Sequence, residues 1–180
     1  MTRSQLLFQG EVLTIVEEEV RLPDGRRFPM QIAHHPGGAA VVAVDAHGRV
    51  CLLRQYRHVA GGYLWELPAG KLDSAEPPAA TARRELREET GLSARHWRPL
   101  GTLYSSPGVF AEVIHLYLAT ELAAGASDQQ ADEYIEVHWL DLDQAVRWAG
   151  DGTISDAKTA VGLCRARQAL QGAPARGAGA

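Results

Sequence analysis

The sequence predicts an α/β protein, and three observations carry that assignment. Runs rich in β-branched, aliphatic and aromatic residues recur between turn residues, over 12–20, 26–34, 39–44, 49–56, 63–67, 97–104, 112–120 and 134–140. Helical segments stand among and after them, opening near Pro78, Asp141 and Asp156. The length, 180 residues, is that of one domain able to bury a real core.

The first two runs flank Pro23-Asp24-Gly25 and read as a hairpin. Glu17, Glu18 and Glu19 read as a solvated strand end, and so polar an element is expected to lie against a partner chain. His34 to Gly38 is a break; adjacent histidines on an extended chain point opposite ways, so no shared ligand role is expected of His34 and His35. Asp45-Ala46-His47-Gly48 joins the next two strands as a hairpin turn. The second of them ends in Arg54-Gln55-Tyr56-Arg57, whose arginines either hold phosphate by forked hydrogen bonds or serve surface solubility.

Gly61-Gly62 opens a loop before the short strand at 63–67, and Pro68-Ala69-Gly70 turns into the segment 70–92. Beyond it, the strands at 97–104 and 112–120 are joined by Ser105 to Phe110, a loop stiffened by Pro107 and kept close-fitting by Gly108. Residues 122–132 read as a mobile loop closed by Glu133. Helices follow at 141–149 and 156–170, each capped by its aspartate, and 171–180 reads as a disordered tail. No repeat or linker divides the chain.

Composition narrows the function. The net charge of −4 leaves no basic footprint for nucleic acid, so an anionic substrate must be met by local cations. Lysine occurs only at Lys71 and Lys158. Cys51 reads as a buried core thiol, and with Cys164 far away neither a disulfide framework nor a zinc site is expected. No apolar run reaches membrane-span length and the N-terminus lacks a signal-peptide core, so a cytoplasmic protein with no membrane partner is expected.

The segment 70–92 carries the chemistry. A helix turns about 100° per residue, so Glu85, Glu88 and Glu89 share one narrow sector. Like charges so placed repel, unless a divalent cation such as Mg²⁺ or Mn²⁺ sits among them. The alternative is a solvated acidic face. Pro78 suits the first helical position and Gly91 the stop, while Ala79, Ala82 and Leu86 form an apolar stripe. Arg84 stands where it can hold a carboxylate in place.

The spacing Gly70, Glu76, Arg84-Glu85-Leu86, Glu88-Glu89, Gly91-Leu92 resembles the full signature of the Nudix hydrolases, every fixed position being filled. That resemblance implies an α/β/α sandwich on a mixed sheet, and a loop–helix–loop that binds metal and cleaves a nucleoside diphosphate linked to another moiety. Pro107, fifteen residues after Leu92, is similar to the ADP-ribose pyrophosphatase branch, as are Arg54 to Arg57, Glu66 to Gly70 and Asp156 to Thr159. The likeness covers roughly residues 10–170. It implies an N-terminal antiparallel hairpin extension (1–37) exchanged in a homodimer, a hydrolase domain (38–170) and the tail (171–180).

Carried over by position, the resemblance makes Glu85, Glu89, Glu133 and the Ala69 carbonyl metal ligands, and Glu88 a ligand or base. It implies about two or three Mg²⁺ or Mn²⁺ ions per site. Arg57, Arg54, Glu112, Pro107 and Gly108 fall at the substrate, and Phe28 on the exchanged hairpin stacks on adenine. Two departures stand out. Ala131 occupies a position where relatives often carry an acid, leaving the base open among Asp132, Glu133 and a box glutamate. Met30 and Gln31 replace an arginine and a glutamate, which bears on nucleoside recognition. The expected reaction converts ADP-ribose to AMP and ribose 5-phosphate; the rivals are a hydrolase of GDP-sugars or dinucleoside polyphosphates and a non-catalytic ADP-ribose sensor.

Overall fold

The computed structural model describes residues 4–73, 76–126 and 134–172. The chain runs through β1 (Ser4–Gln9), β2 (Thr14–Arg21), β3 (Arg27–His34), β4 (Gly38–Ala43), β5 (Arg49–Arg57), β6 (Gly62–Glu66) and β7 (Ala69–Lys71). Then come α1 (Pro78–Thr90), β8 (Leu92–Tyr104), β9 (Phe110–Ala111), β10 (Val113–Ala124), β11 (Ile135–Asp141), α2 (Leu142–Asp151) and α3 (Ala157–Gln171). Among the described residues no helix is long and apolar enough to cross a membrane.

Among the described residues the strands form three sheets, ordered β1-β2-β3-β9, β7-β4-β10-β8 and β11-β5-β6. The middle sheet is mixed: β10 runs parallel to β4 and antiparallel to β8. Its layering follows from strand alternation. Ala39, Val41 and Ala43 point to one side, where Ala82 and Leu86 of α1 meet them. Ala40, Val42 and Val44 point to the other, where Ala145 of α2 and Leu163 and Ala166 of α3 close the core. Both faces of β4 are buried, so its run reads as continuously apolar. The result is the α/β/α sandwich that the sequence implies.

Helix α1 has the punctuation expected of it. Pro78 takes the first turn, and Gly91 ends the helix in the left-handed region at φ 71°, its N–H returning to the Arg87 carbonyl. Asp141 and Asp156 cap α2 and α3 by accepting the backbone N–H groups of Gln144 and Thr159.

Several elements differ from the sequence reading, among them β8, which starts at Leu92 rather than Trp97, and the added short strand β9. The turn at Asp45 forms, with the Asp45 carboxylate accepting the His47 and Arg49 N–H groups, but only Val44 and Val50 pair across it. β4 and β5 then part into different sheets, because each finds longer ladders elsewhere. The hairpin of β2 and β3 gains β1 as a third strand, whose paired residues include the exposed Leu6 and Phe8. β10 continues to Ala124, three residues of the expected loop being held by pairing of Leu122, Ala123 and Ala124 with Ala94, Ser93 and Leu92.

Leu86 is completely buried beneath α1. Leu86→Ala is expected to cost about 2–5 kcal/mol in denaturant unfolding, against well under that for Arg87→Ala on the exposed face.

Candidate active site

The site starts where β7 passes under α1. The Ala69 N–H donates to Glu89 Oε2 at 2.9 Å. Next to it, the Glu85 carboxylate fills the place of a side chain at residue 70: a Cβ there would stand 1.8 Å from Oε1. Only glycine permits this approach. Both carboxylates are buried, with 8% of Glu85 and 2% of Glu89 exposed.

Arg84 fans across the acidic helix. Its Nη1 donates to Glu85 Oε1 at 2.7 Å and to Glu88 Oε2 at 2.9 Å, and its Nε reaches Glu76 Oε2 at 3.3 Å. Burial works against the arginine's charge, but the surrounding glutamates outweigh it and raise its pKa. Repulsion between Glu85 and Glu88 is offset by a cation of the chain itself, so crowded carboxylates alone do not require a metal. Among the described residues, no three acidic, histidine or cysteine side chains converge to hold an ion.

A second wall comes from β5, β6 and the start of α3. Residues 55 and 57 share one face of β5, and both line the cleft. Arg57 is gripped in a fork by Glu66, Nε to Oε1 at 2.7 Å and Nη2 to Oε2 at 2.9 Å. Lys158 Nζ donates to the same Glu66 Oε2 at 2.5 Å and to Asp156 Oδ1 at 3.1 Å. Burial pushes the Glu66 carboxyl up, yet the Arg57 hydrogen bond and the Lys158 charge prevail and hold it at about 2. The same bond from Glu66 raises the pKa of Arg57.

Glu112 and His35 form a third side. His35 Nδ1 lies 3.2 Å from Glu112 Oε1 and also accepts the Gly37 N–H at 3.0 Å. A nitrogen that accepts a hydrogen bond has no hydrogen to give Glu112, so the two contacts belong to alternative tautomers of the ring. Phe110 backs it, ring centroids 5.4 Å apart.

The walls enclose a cleft of about 560 Å³. Of the residues expected at the site, Ala69, Glu85, Glu89, Arg57 and Glu112 line it together. Glu88 turns to Arg84 and does not line it. Arg54, on the other face of β5, lies over the Trp65 ring at 5.0 Å and the Tyr63 ring at 5.8 Å. The paired reading of the two arginines is thereby corrected: an odd separation along a strand puts them on opposite faces. Phe28, Pro107 and Gly108 are exposed and are not among the residues lining the cleft, although Ser105 of the same loop is. Asp132 and Glu133 lie outside the described residues.

Sequence reasoning passed over the pairing of Glu66 with Lys158 and the place of His35. A lone acid in the apolar run Tyr63 to Leu67 was the available signal for Glu66. Nothing local announces its partner, 92 residues away.

Fold and site together define a class: an α/β/α sandwich whose carboxylate-bearing helix borders a cleft with fixed cations. The family model described as the NUDIX domain matches residues 34–160. The chain is 36% identical over 169 residues to the ADP-ribose pyrophosphatase of Bacillus subtilis, covering 92% of this chain and 91% of that protein. It is 38% identical over 165 residues to the ADP-ribose pyrophosphatase of Mycobacterium tuberculosis, covering 89% and 79%. The crystal structure of an ADP compounds hydrolase superposes with a TM-score of 0.80 over 94% of this chain and 92% of that one, at 20% identity, a likeness of fold. The chain belongs to the NUDIX family and is a Nudix hydrolase of ADP-ribose pyrophosphatase-like type. Enzymes of this family generally use divalent metal ions.

Glu66 supplies a test of the cation wall. Its depressed pKa means its ion pairs contribute fully above the ordinary value of 4.5 and are lost as pH falls towards about 2. Glu66→Gln should lower stability by about 3–5 kcal/mol at neutral pH, since it leaves two cations without their buried partner. In thermal melts the gap from wild type should close over that acid range; a gap independent of pH would contradict the assignment.

Proposed function

We propose that the protein cleaves the diphosphate bridge of ADP-ribose, or of a closely related nucleoside diphosphate sugar, to AMP and ribose 5-phosphate in the cytoplasm. The observation that carries this reading is the meeting of Glu85, Glu89 and Arg57 in one cleft, from two separate parts of the chain. The identities to two ADP-ribose pyrophosphatases support the substrate.

In this reading Glu85 and Glu89 hold Mg²⁺ or Mn²⁺, with the Ala69 carbonyl and Glu133 as further ligands. The donor set fits: two nearly buried carboxylates supply hard oxygens where a glycine keeps the space open. Mg²⁺ commonly takes one or two carboxylates and completes its shell with water and substrate phosphate, so no closed cage of side chains is needed. Such ions, roughly two or three, supply positive charge to the diphosphate oxygens and make water a better nucleophile.

The chain's own groups do the rest. Glu66 occupies Nε and Nη2 of Arg57, so the guanidinium is held rigid and its Nη1 donors are available for phosphate. Glu112 receives a hydroxyl of the substrate, positioned by His35. Because Glu88 is engaged by Arg84, we assign proton removal from water to Asp132 or Glu133.

Residues 1–37 would form the dimer element. Leu6, Leu7, Phe8 and Phe28 are exposed apolar residues of β1 and β3, and a second copy covering them would bring Phe28 to the neighbouring cleft.

Glu85→Gln and Glu89→Gln should each lower turnover of ADP-ribose on the order of 100-fold without loss of the fold, and EDTA should abolish it. Faster Mg²⁺-dependent cleavage of GDP-mannose would overturn the substrate. Sedimentation should give a dimer, with Leu7→Asp shifting it towards monomer; a monomeric wild type would refute the exchange.

A further inference from the structure

Lysine occurs twice in this chain, and both lysines line the same cleft. Arginine supplies the remaining Lys/Arg positions, most of the described ones exposed. Lys71 is exposed at the end of β7, whereas only 14% of the Lys158 side chain is exposed. A flexible ammonium this deep loses rotamer freedom and hydration, a cost that partners must offset. Glu66 and Asp156 offset it, at 2.5 and 3.1 Å, yet Glu66 is already held in a fork by Arg57. One buried carboxylate thus serves two cations on the wall opposite Glu85 and Glu89. Asp156, the remaining acid, is also committed to Thr159, whose N–H and hydroxyl both donate to its Oδ2. Among the described residues those two bonds use two of the three Nζ hydrogens of Lys158, leaving one for a ligand in the cleft.

The geometry points to Lys158 as a phosphate-binding residue of this cleft, paired with Arg57 through Glu66 so that two cations meet the diphosphate group of the substrate. This rests on the functional reading above and adds a specificity element to it. Arg57 offers a planar fork and Lys158 a point charge, so together they favour a bridged diphosphate over a single phosphate. A lysine placed only to neutralise Glu66 would stabilise the fold and leave ligand affinity unchanged.

Equilibrium binding in EDTA separates the two roles, because no hydrolysis occurs and no metal contributes. The probes are ADP-ribose, inorganic diphosphate and adenosine, titrated by calorimetry into wild type, Lys158→Met and Lys158→Arg, with a thermal melt of each. Lys158→Met should weaken ADP-ribose and diphosphate by about tenfold or more while leaving adenosine within about twofold, and Lys158→Arg should recover most of the loss. The assignment is overturned if Lys158→Met, still folded, binds ADP-ribose within about twofold of wild type. It is equally overturned if adenosine is lost to the same extent, or if wild type binds neither ADP-ribose nor diphosphate. Should Lys158→Met fail to fold, Lys158→Gln takes its place under the same criteria. Failure of the functional reading shows separately, as absence of cleavage of any nucleoside diphosphate derivative by wild type with Mg²⁺.

Discussion

The cleft depends on how closely α1 approaches the backbone at Ala69 and Gly70. Ala82 and Leu86 seat the helix on Ala39, Val41 and Ala43, and that seating carries Glu85 and Glu89 down onto β7. Glu85 then occupies space that a methyl group at residue 70 would fill, and Glu89 takes the Ala69 N–H. A small side chain beneath the helix and a missing one beside it are parts of the same fit. Were either enlarged, the carboxylates would be lifted away from the cleft floor. The apolar stripe of α1 and its acidic stripe are therefore not independent features: burial of the first sets the depth of the second.

Charge in this region is compensated in two separate groups. Arg84 binds Glu76, Glu85 and Glu88 along one side of α1, and Arg57 with Lys158 brackets Glu66 across the cleft. Each group makes sense as electrostatics inside a folded protein, where an unpaired buried charge is costly. They differ in what they leave over. Arg84 meets a surplus of carboxylates, so that wall remains acidic. Glu66 and Asp156 are matched by Arg57 and Lys158, so the facing wall is balanced in charge. The cleft therefore runs between an acidic wall and one whose cations are held in place by carboxylates. Cys51, by contrast, is buried among apolar groups, and burial together with the Glu89 charge pushes its thiol up to about 12, out of reach of ordinary nucleophilic chemistry.

Much of the architecture was legible in the sequence because it is local. The ends of α1 at Pro78 and Gly91 and the aspartate caps of α2 and α3 appear within a residue or two of where the sequence places them. The turn at Asp45 was legible too, but not that β4 and β5 would part, since a turn says nothing of which sheet each strand joins. β1 escaped notice because its pairing with β2, not its own composition, makes it a strand. Of the site, Glu85, Glu89, Arg57 and Glu112 line one cleft. Arg54 does not, because the choice between two arginines three residues apart on a strand depends on which face of β5 turns to the cleft.

By itself the sequence determined the spacing of the carboxylates on one helix face, the glycine that makes room for them, and the family to which both belong. These follow from backbone geometry over a few residues, which neighbouring side chains dictate directly. Only the tertiary structure decided which distant groups face those carboxylates. Lys158 reaches Glu66 from 92 positions along the chain, and His35, just after β3, reaches Glu112, just after β9, because those two strands pair. Such pairs form because helices and strands are laid against each other to bury the two faces of β4, and no local pattern encodes the alignment that results.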